Sequence, residues 1–224
     1  VVCLLVRWAL VVISLVTAVV DETPDPEAPI RASCERQAWS EAATAAIRLY
    51  GREVCGFLIA LHRDPEAADE VFAIWSEHLW RGLPGFAWRS SFRTWLYTLA
   101  RHASIDFRRG EQRRQRRNSP LSSLGELSAI AQQVRTETRS YLGTERKDRF
   151  AELRRSLPEE DQELLILRVD RGLPWEDLAR ITLDQESPSP ADLKRESQRL
   201  RKRFQLLKER LLEMGKKAGL VPDE

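Results

Sequence analysis

The sequence predicts an all-α protein: two small helical domains joined by a flexible linker, the second carrying a helix-turn-helix. Three observations carry this expectation. After residue 35 no stretch alternates apolar and polar residues as a half-buried strand would. Apolar residues instead recur at helical spacing, between Pro, Gly, Ser and Asp residues placed to start or stop helices. A polar, turn-prone stretch containing "NSPLSSLGELS" separates two such helical groups.

The elements follow in order. "VVCLLVRWALVVISLVTAVV" (1–20) approaches the length of a bilayer span with Arg7 as its only charge. It admits three readings: a dispensable or non-native extension, a membrane anchor, or a cleaved signal. The chain does not begin with Met, and its only Met is Met214, which favours the first of them. "DETPDPEAPIRAS" is acidic and Pro-rich and reads as a disordered linker, so residues 1–34 stand apart from the body. A first helix is expected from Glu35 to His62, with Gly51 and Gly56 as weak points. Asp64 and Pro65 cap and open a second, which Gly82 and Pro84 end.

Ser90 or Ser91 caps a third helix. At helical periodicity Phe92, Trp95, Leu96, Leu99, Ala103 and Asp106 share one face. Tyr97, Arg101, Ser104 and Arg108 share the other, which is expected to be open to solvent. A first domain would span 35–117 and a linker 118–144, with a weak helix from Ser128 to Thr138. A second domain would span 145–215, followed by a tail, 216–224. Within it one helix ends near Ser156, Pro158 opens the next and Gly172 closes that one. Pro174 opens a short helix, Trp175 to Ile181, and Ser189 with Pro190 opens a long one reaching about Met214. Leu193, Ser197, Leu200, Phe204, Leu207 and Leu211 form its inner stripe. Arg195, Gln198, Arg199 and Lys202 face away, with Lys194 and Arg201 on the flank.

The chain has 224 residues, 31% of them charged, and a net charge of only +2. The distribution says more than the sum. Residues 101–117 hold seven Arg against two acidic residues, and residues 194–203 hold six Lys or Arg against one Glu. Two concentrated positive stretches in a nearly neutral chain suggest two polyanion contacts. Cys3, Cys34 and Cys55 form no CxxC pair and have no His at ligand spacing, so neither a disulfide framework nor a metal site is expected, consistent with a cytoplasmic protein. No Gly-rich phosphate loop or paired nucleophile and base appears, so no enzyme and no cofactor are expected. Asp106 and the acidic residues at 159–163 read as capping and salt-bridging groups.

Three stretches carry a resemblance. "FRTWLYTLARHASIDFRRG", Phe92 to Gly110, is similar to the segment that ends the first domain of bacterial RNA polymerase sigma factors of the compact extracytoplasmic-function (ECF) type. "LPEEDQELLILRVDRGLPWEDLARI" and "LKRESQRLRKRF" match that family's second domain in order and spacing. The resemblance implies a factor that binds core RNA polymerase and directs it to promoter DNA, with an anti-sigma factor as a further candidate partner. It implies a first domain that grips the polymerase clamp, recognises the minus-ten element and opens the duplex. Phe86, Trp88 and Arg89 would hold the extruded base, and Tyr97, Arg101, His102, Arg108, Arg109 and Arg113 would serve the separated strand. Asp69, Glu70, Glu77, Trp80 and Arg81 would face polymerase. Lys194, Arg195, Gln198, Arg199 and Lys202 would read the minus-thirty-five element in duplex form.

The chain departs from the family pattern in four places. Phe72 and Ala73 stand in its Gln-Glu region, His102 stands where Asn is common, and Glu196 replaces an Arg. The turn between Ile181 and Leu193 is longer than usual. Two other readings compete. A helix-turn-helix regulator without a sigma role leaves the Phe92–Arg117 segment unexplained. A membrane-anchored adaptor would put Arg108–Arg117 against anionic lipid.

Overall fold

The computed structural model describes residues 25–110, 129–136, 149–185 and 187–219. The apolar stretch at 1–20 lies outside the described residues. Among the described residues all regular structure is helical, and no helix is long and apolar enough to cross a membrane.

The first departure from expectation is at the start. Part of the expected linker is a helix, α1 (Ala28–Glu35), packed against α2 (Trp39–His62). Ile30 gives α1 a core anchor, only 1% exposed, and Tyr50 of α2 donates its hydroxyl proton to Glu27 at 2.5 Å. Composition alone marks this segment as disordered, but two tertiary contacts outweigh it. The chain turns at Gln37, whose φ is +58°, so a single helix from Glu35 does not form.

α2 then runs unbroken through both glycines. Each leaves room for a neighbour. A Cβ at Gly51 would stand 3.0 Å from a Val134 methyl, and one at Gly56 3.0 Å from Arg171 Nη2. The glycines therefore admit close approach and do not break the helix.

α3 (Pro65–Gly82) starts as expected, with Asp64 accepting from the Glu66 amide at 2.9 Å and Pro65 in the first turn. A single 3-10 turn, Leu83–Gly85, leads to the loop before α4 (Phe92–Arg108). Ser91 caps α4, its Oγ accepting from the Thr94 amide at 3.0 Å. Trp75 of α3 donates its indole N–H to the Leu96 carbonyl of α4 at 3.1 Å, which fixes how these helices cross.

Residues 129–136, in the expected linker, are helical. Ala131 is buried, and Arg135 donates to the Asp69 carbonyl of α3 at 3.2 Å. The second half comprises α5 (Arg149–Arg155), α6 (Glu159–Leu165), α7 (Trp175–Leu183) and α8 (Pro190–Lys217). A wide turn, Ile166–Asp170, continues α6; Arg171 N–H donates to the Ile166 carbonyl at 2.9 Å, five residues back. Gly172, at φ +67°, then reverses the chain as expected. α8 starts where Ser189 accepts from the Asp192 amide, and it runs one turn beyond Met214 to Lys217. Its inner stripe is buried or half-buried, at Leu193, Ser197, Leu200, Phe204, Leu207 and Leu211.

The two halves do not stand apart. Leu164, Ile166, Leu167, Leu173 and Leu178 join the same apolar cluster as Phe57, Phe92 and Tyr97. α7 lies along α4, and α6 and the wide turn touch α2.

His62 ends α2 inside this core, against Ser104 Oγ at 3.0 Å and edge-on to Phe107. Burial, helped by the nearby Arg108 charge, lowers its pKa to about 4. The unfolded chain, with His near 6.5, binds more protons between these values, so stability falls as pH drops from about 6.5 towards 4. Thermal unfolding is expected at a lower temperature at pH 5 than at pH 7. His62→Gln, which cannot take up that proton, should reduce the pH-dependent part. An equally acid-sensitive variant would contradict the assignment.

Candidate nucleic-acid interface

The loop between α3 and α4 is packed by its own aromatic rings. Phe86 stacks on Trp95 at 4.5 Å between ring centres, and Trp88 stacks on Phe92 at 5.6 Å. Phe86 and Trp88 also touch, at 4.8 Å. Trp88 sits at φ +55°, in the left-handed region that non-glycine residues rarely adopt. The surrounding rings hold it there. From α1, the Arg31 guanidinium lies 4.6 Å from the centre of the Trp88 ring. Phe86 and Trp88 are thus half-buried, while Arg89 is exposed.

Cavities flank this loop. One of about 470 Å³ is lined by Phe86, Arg89, Trp95 and His102 of the first half and by Arg180 and Asp184 of the second. Another of about 480 Å³ opens between α1 and the loop.

The expected solvent face of α4 is covered. Tyr97 is 1% exposed and Ser104 fully buried. The Tyr97 ring meets Phe57 edge-on at 5.3 Å, and its hydroxyl donates to Glu53 Oε1 at 2.8 Å. Arg93 donates to the same oxygen, with its Nε at 2.8 Å, and to the Arg171 carbonyl at 2.9 Å. Burial and the Glu53 charge together raise the Tyr97 pKa far above the ordinary phenol value, so the hydroxyl stays a donor. The Tyr97 and Ser104 side of α4 lies against Phe57, Glu53 and His62 of α2, while α7 packs along α4 from the second half.

Polar side chains of α4 and of the loop before it meet partners from the second half. Arg101 pairs with Glu163, Arg108 with Glu159, and His102 Nε2 meets the Asp184 carboxylate. Arg89 donates to Ser187 Oγ. Glu159 and Glu163 stand one turn apart on α6, so one helix face addresses two arginines. The acidic residues at 159–163 are therefore salt-bridging groups, as expected, and Asp106 likewise faces His78 at 3.5 Å. The seam is imperfect: Arg101 Nε, Glu163 Oε1 and Arg171 Nε are buried there without a hydrogen-bond partner among the described residues. Arg109 is exposed at the end of α4, and Arg113 lies outside the described residues.

The second basic surface is open. Lys194, Arg195, Gln198, Arg199 and Lys202 are all exposed along the first half of α8. Glu196 turns inward and holds Arg199 at 2.6 Å, while Asp192 holds Arg195 at 2.7 Å. Ser197 Oγ donates to the Trp175 carbonyl at 3.2 Å, fastening α8 to the start of α7.

The residues expected to face polymerase lie along α3. Asp69, Glu70, Glu77 and Trp80 are half-buried and Arg81 is exposed, with Glu77 and Arg81 paired at 2.6 Å. The Phe72 departure is a core choice: Phe72 is buried against Trp75, with ring centres 4.9 Å apart. Helical periodicity finds none of Arg31, Glu53, Glu163 or Asp184 as partners of the site, because each acts across a tertiary contact. The Glu159/Glu163 spacing is the one local signal.

Residues 46–114 match the family description Sigma-70 region 2. The RNA polymerase sigma factor YlaC of Bacillus subtilis (strain 168) is 27% identical over 135 residues, which cover 60% of this chain and 75% of that one. No solved structure gives a significant match.

Tyr97→Phe removes one donor from Glu53 while Arg93 remains on it. It should cost about 1 kcal/mol, lowering the midpoint of thermal unfolding by about 2–4 °C. An unchanged midpoint would mean that the hydroxyl contributes nothing to the packing of α4 on α2.

Proposed function

We infer that the chain is a bacterial RNA polymerase sigma factor of the extracytoplasmic-function type, acting with core RNA polymerase on promoter DNA to initiate transcription. The observation that carries this is the match of residues 46–114 to Sigma-70 region 2, over the helices that hold the aromatic loop and the α4 cations. Nothing in this role asks the chain for catalysis. It asks for two polyanion contacts, which fits the two basic stretches.

The finer assignment is a proposal. Residues 35–117 hold the strand-opening unit. Phe86, Trp88 and Arg89 take an unstacked base, and the cations from Arg101 to Arg109, with Arg113 beyond, take the phosphates of the separated strand. α3 offers Asp69, Glu70, Glu77, Trp80 and Arg81 to polymerase. Residues 145–215 hold the duplex-reading unit, with α7 and α8 as its helix-turn-helix. The exposure of Lys194, Arg195, Gln198, Arg199 and Lys202 supports that reading, and the long turn before α8 sets how the helix enters the groove.

The state described here is closed. Glu159, Glu163 and Asp184 stand where DNA phosphates would stand against Arg108, Arg101 and His102. Strand binding through α4 therefore requires the halves to part, and carboxylates and phosphates compete for the same cations.

Transcription from defined start sites by core polymerase supplied with this chain tests the function; no defined transcripts would overturn it. Arg195→Ala with Arg199→Ala should weaken upstream duplex contacts and leave polymerase binding intact. Equal loss of both would count against the duplex-reading role. The triple change Glu159→Gln, Glu163→Gln, Asp184→Asn should raise promoter binding by the chain without polymerase. Binding no better than wild type would remove the competition from the account.

A further inference from the structure

The Arg31–Trp88 pair belongs to none of the roles assigned above. Arg31 comes from α1, a helix that composition places outside the folded body. Its guanidinium covers the ring of a loop residue held in a rarely used backbone conformation.

Arg31 differs from the other arginines around this site. Arg36, Arg93, Arg101 and Arg108 each hold a carboxylate. Among the described residues Arg31 has no such partner; Glu27, a turn away, is engaged by Tyr50. Arg31 is exposed and borders the cavity of about 480 Å³ between α1 and the loop, with Trp39, Phe86, Trp88 and Phe92 as its aromatic walls and Glu27 and Glu35 on its α1 side. That space is enough for one nucleotide. α1 is well fixed for such a task, through buried Ile30 and the Tyr50–Glu27 hydrogen bond.

A guanidinium and a nucleobase are both flat, and both rest on the π-face of an indole. They are alternative occupants of one surface. We propose that Arg31 contacts the separated DNA strand. Its guanidinium, resting on Trp88 in the free chain, passes to a phosphate of that strand when an unstacked base takes its place on the ring. Arg31 then supplies a charge to the strand and, by leaving Trp88, uncovers that ring for the base. This rests on the reading of the Phe86–Arg89 loop as part of the strand-opening site. It adds to that site a residue from a helix beyond the Sigma-70 region 2 match.

The test uses the full chain with core polymerase on two promoter templates, one fully duplex and one with a pre-opened bubble, over a range of salt concentrations. Arg31→Ala should weaken the open complex about tenfold on both templates. On the bubble template it should also reduce the slope of log K against log salt by about 0.7, the loss of one single-strand phosphate contact. Arg31→Lys keeps the charge and should keep the slope. Core-polymerase binding should be the same for all three proteins.

An unchanged slope in Arg31→Ala would overturn the proposal. So would equal losses for both variants accompanied by weaker polymerase binding, which is the pattern of a residue that only holds α1 in place. Failure of the wild-type chain to start transcription at any promoter would instead overturn the sigma-factor reading, so the two failures are distinguishable.

Discussion

The structure depends on one constraint: α4 is buried or half-buried along nearly its whole length, although it carries several arginines. Its apolar side closes the first-half core through Phe92, Leu96 and Ala103. Its charged side reaches the low-polarity seam with the second half, where an unpaired cation is expensive. Glu53 meets Arg93, Glu163 meets Arg101 and Glu159 meets Arg108. Two of those three carboxylates come from α6, so the packing of the halves and the neutralisation of α4 are the same event.

This arrangement gives the protein a physical switch without a chemical step, if the halves part as proposed. Ion pairs line the seam, some of them partly exposed, beside buried apolar contacts from Leu164, Leu167 and Leu178, and several buried polar atoms within it lack hydrogen-bond partners among the described residues. The ion pairs make the seam specific in geometry and add modestly to its strength. In the proposed role, promoter DNA offers the same side chains a denser array of negative charge. The second basic surface, on α8, needs no parting of the halves, since its Lys and Arg residues already face solvent, Arg195 and Arg199 beside Asp192 and Glu196 of their own helix. In the proposed role, duplex reading and strand holding therefore differ in what must move first.

Much of this was legible in the sequence, for local reasons. Asp64–Pro65, Ser91, Gly172 and Ser189–Pro190 act through their own neighbours, and each marks the boundary expected of it. The inner stripe of α8 follows from periodicity alone. What local reasoning missed acts at a distance. α1 looks disordered by composition and is fixed by Ile30 and Tyr50. Tyr97 looks solvent-facing because its helix appears to have one apolar side, whereas Phe57 and Glu53 of α2 cover it. Gly51 and Gly56 look like weak points and are places where Val134 and Arg171 come close.

The central claim is that the α4 cations exchange carboxylates of the same chain for DNA. The most direct measurement is the distance between the halves, read by energy transfer between dyes placed at Arg48 on α2 and Lys208 on α8, both exposed. The account predicts one short distance in the free chain and a longer one once core polymerase and promoter are bound. A distance that stays short while the promoter opens and RNA is made would contradict it.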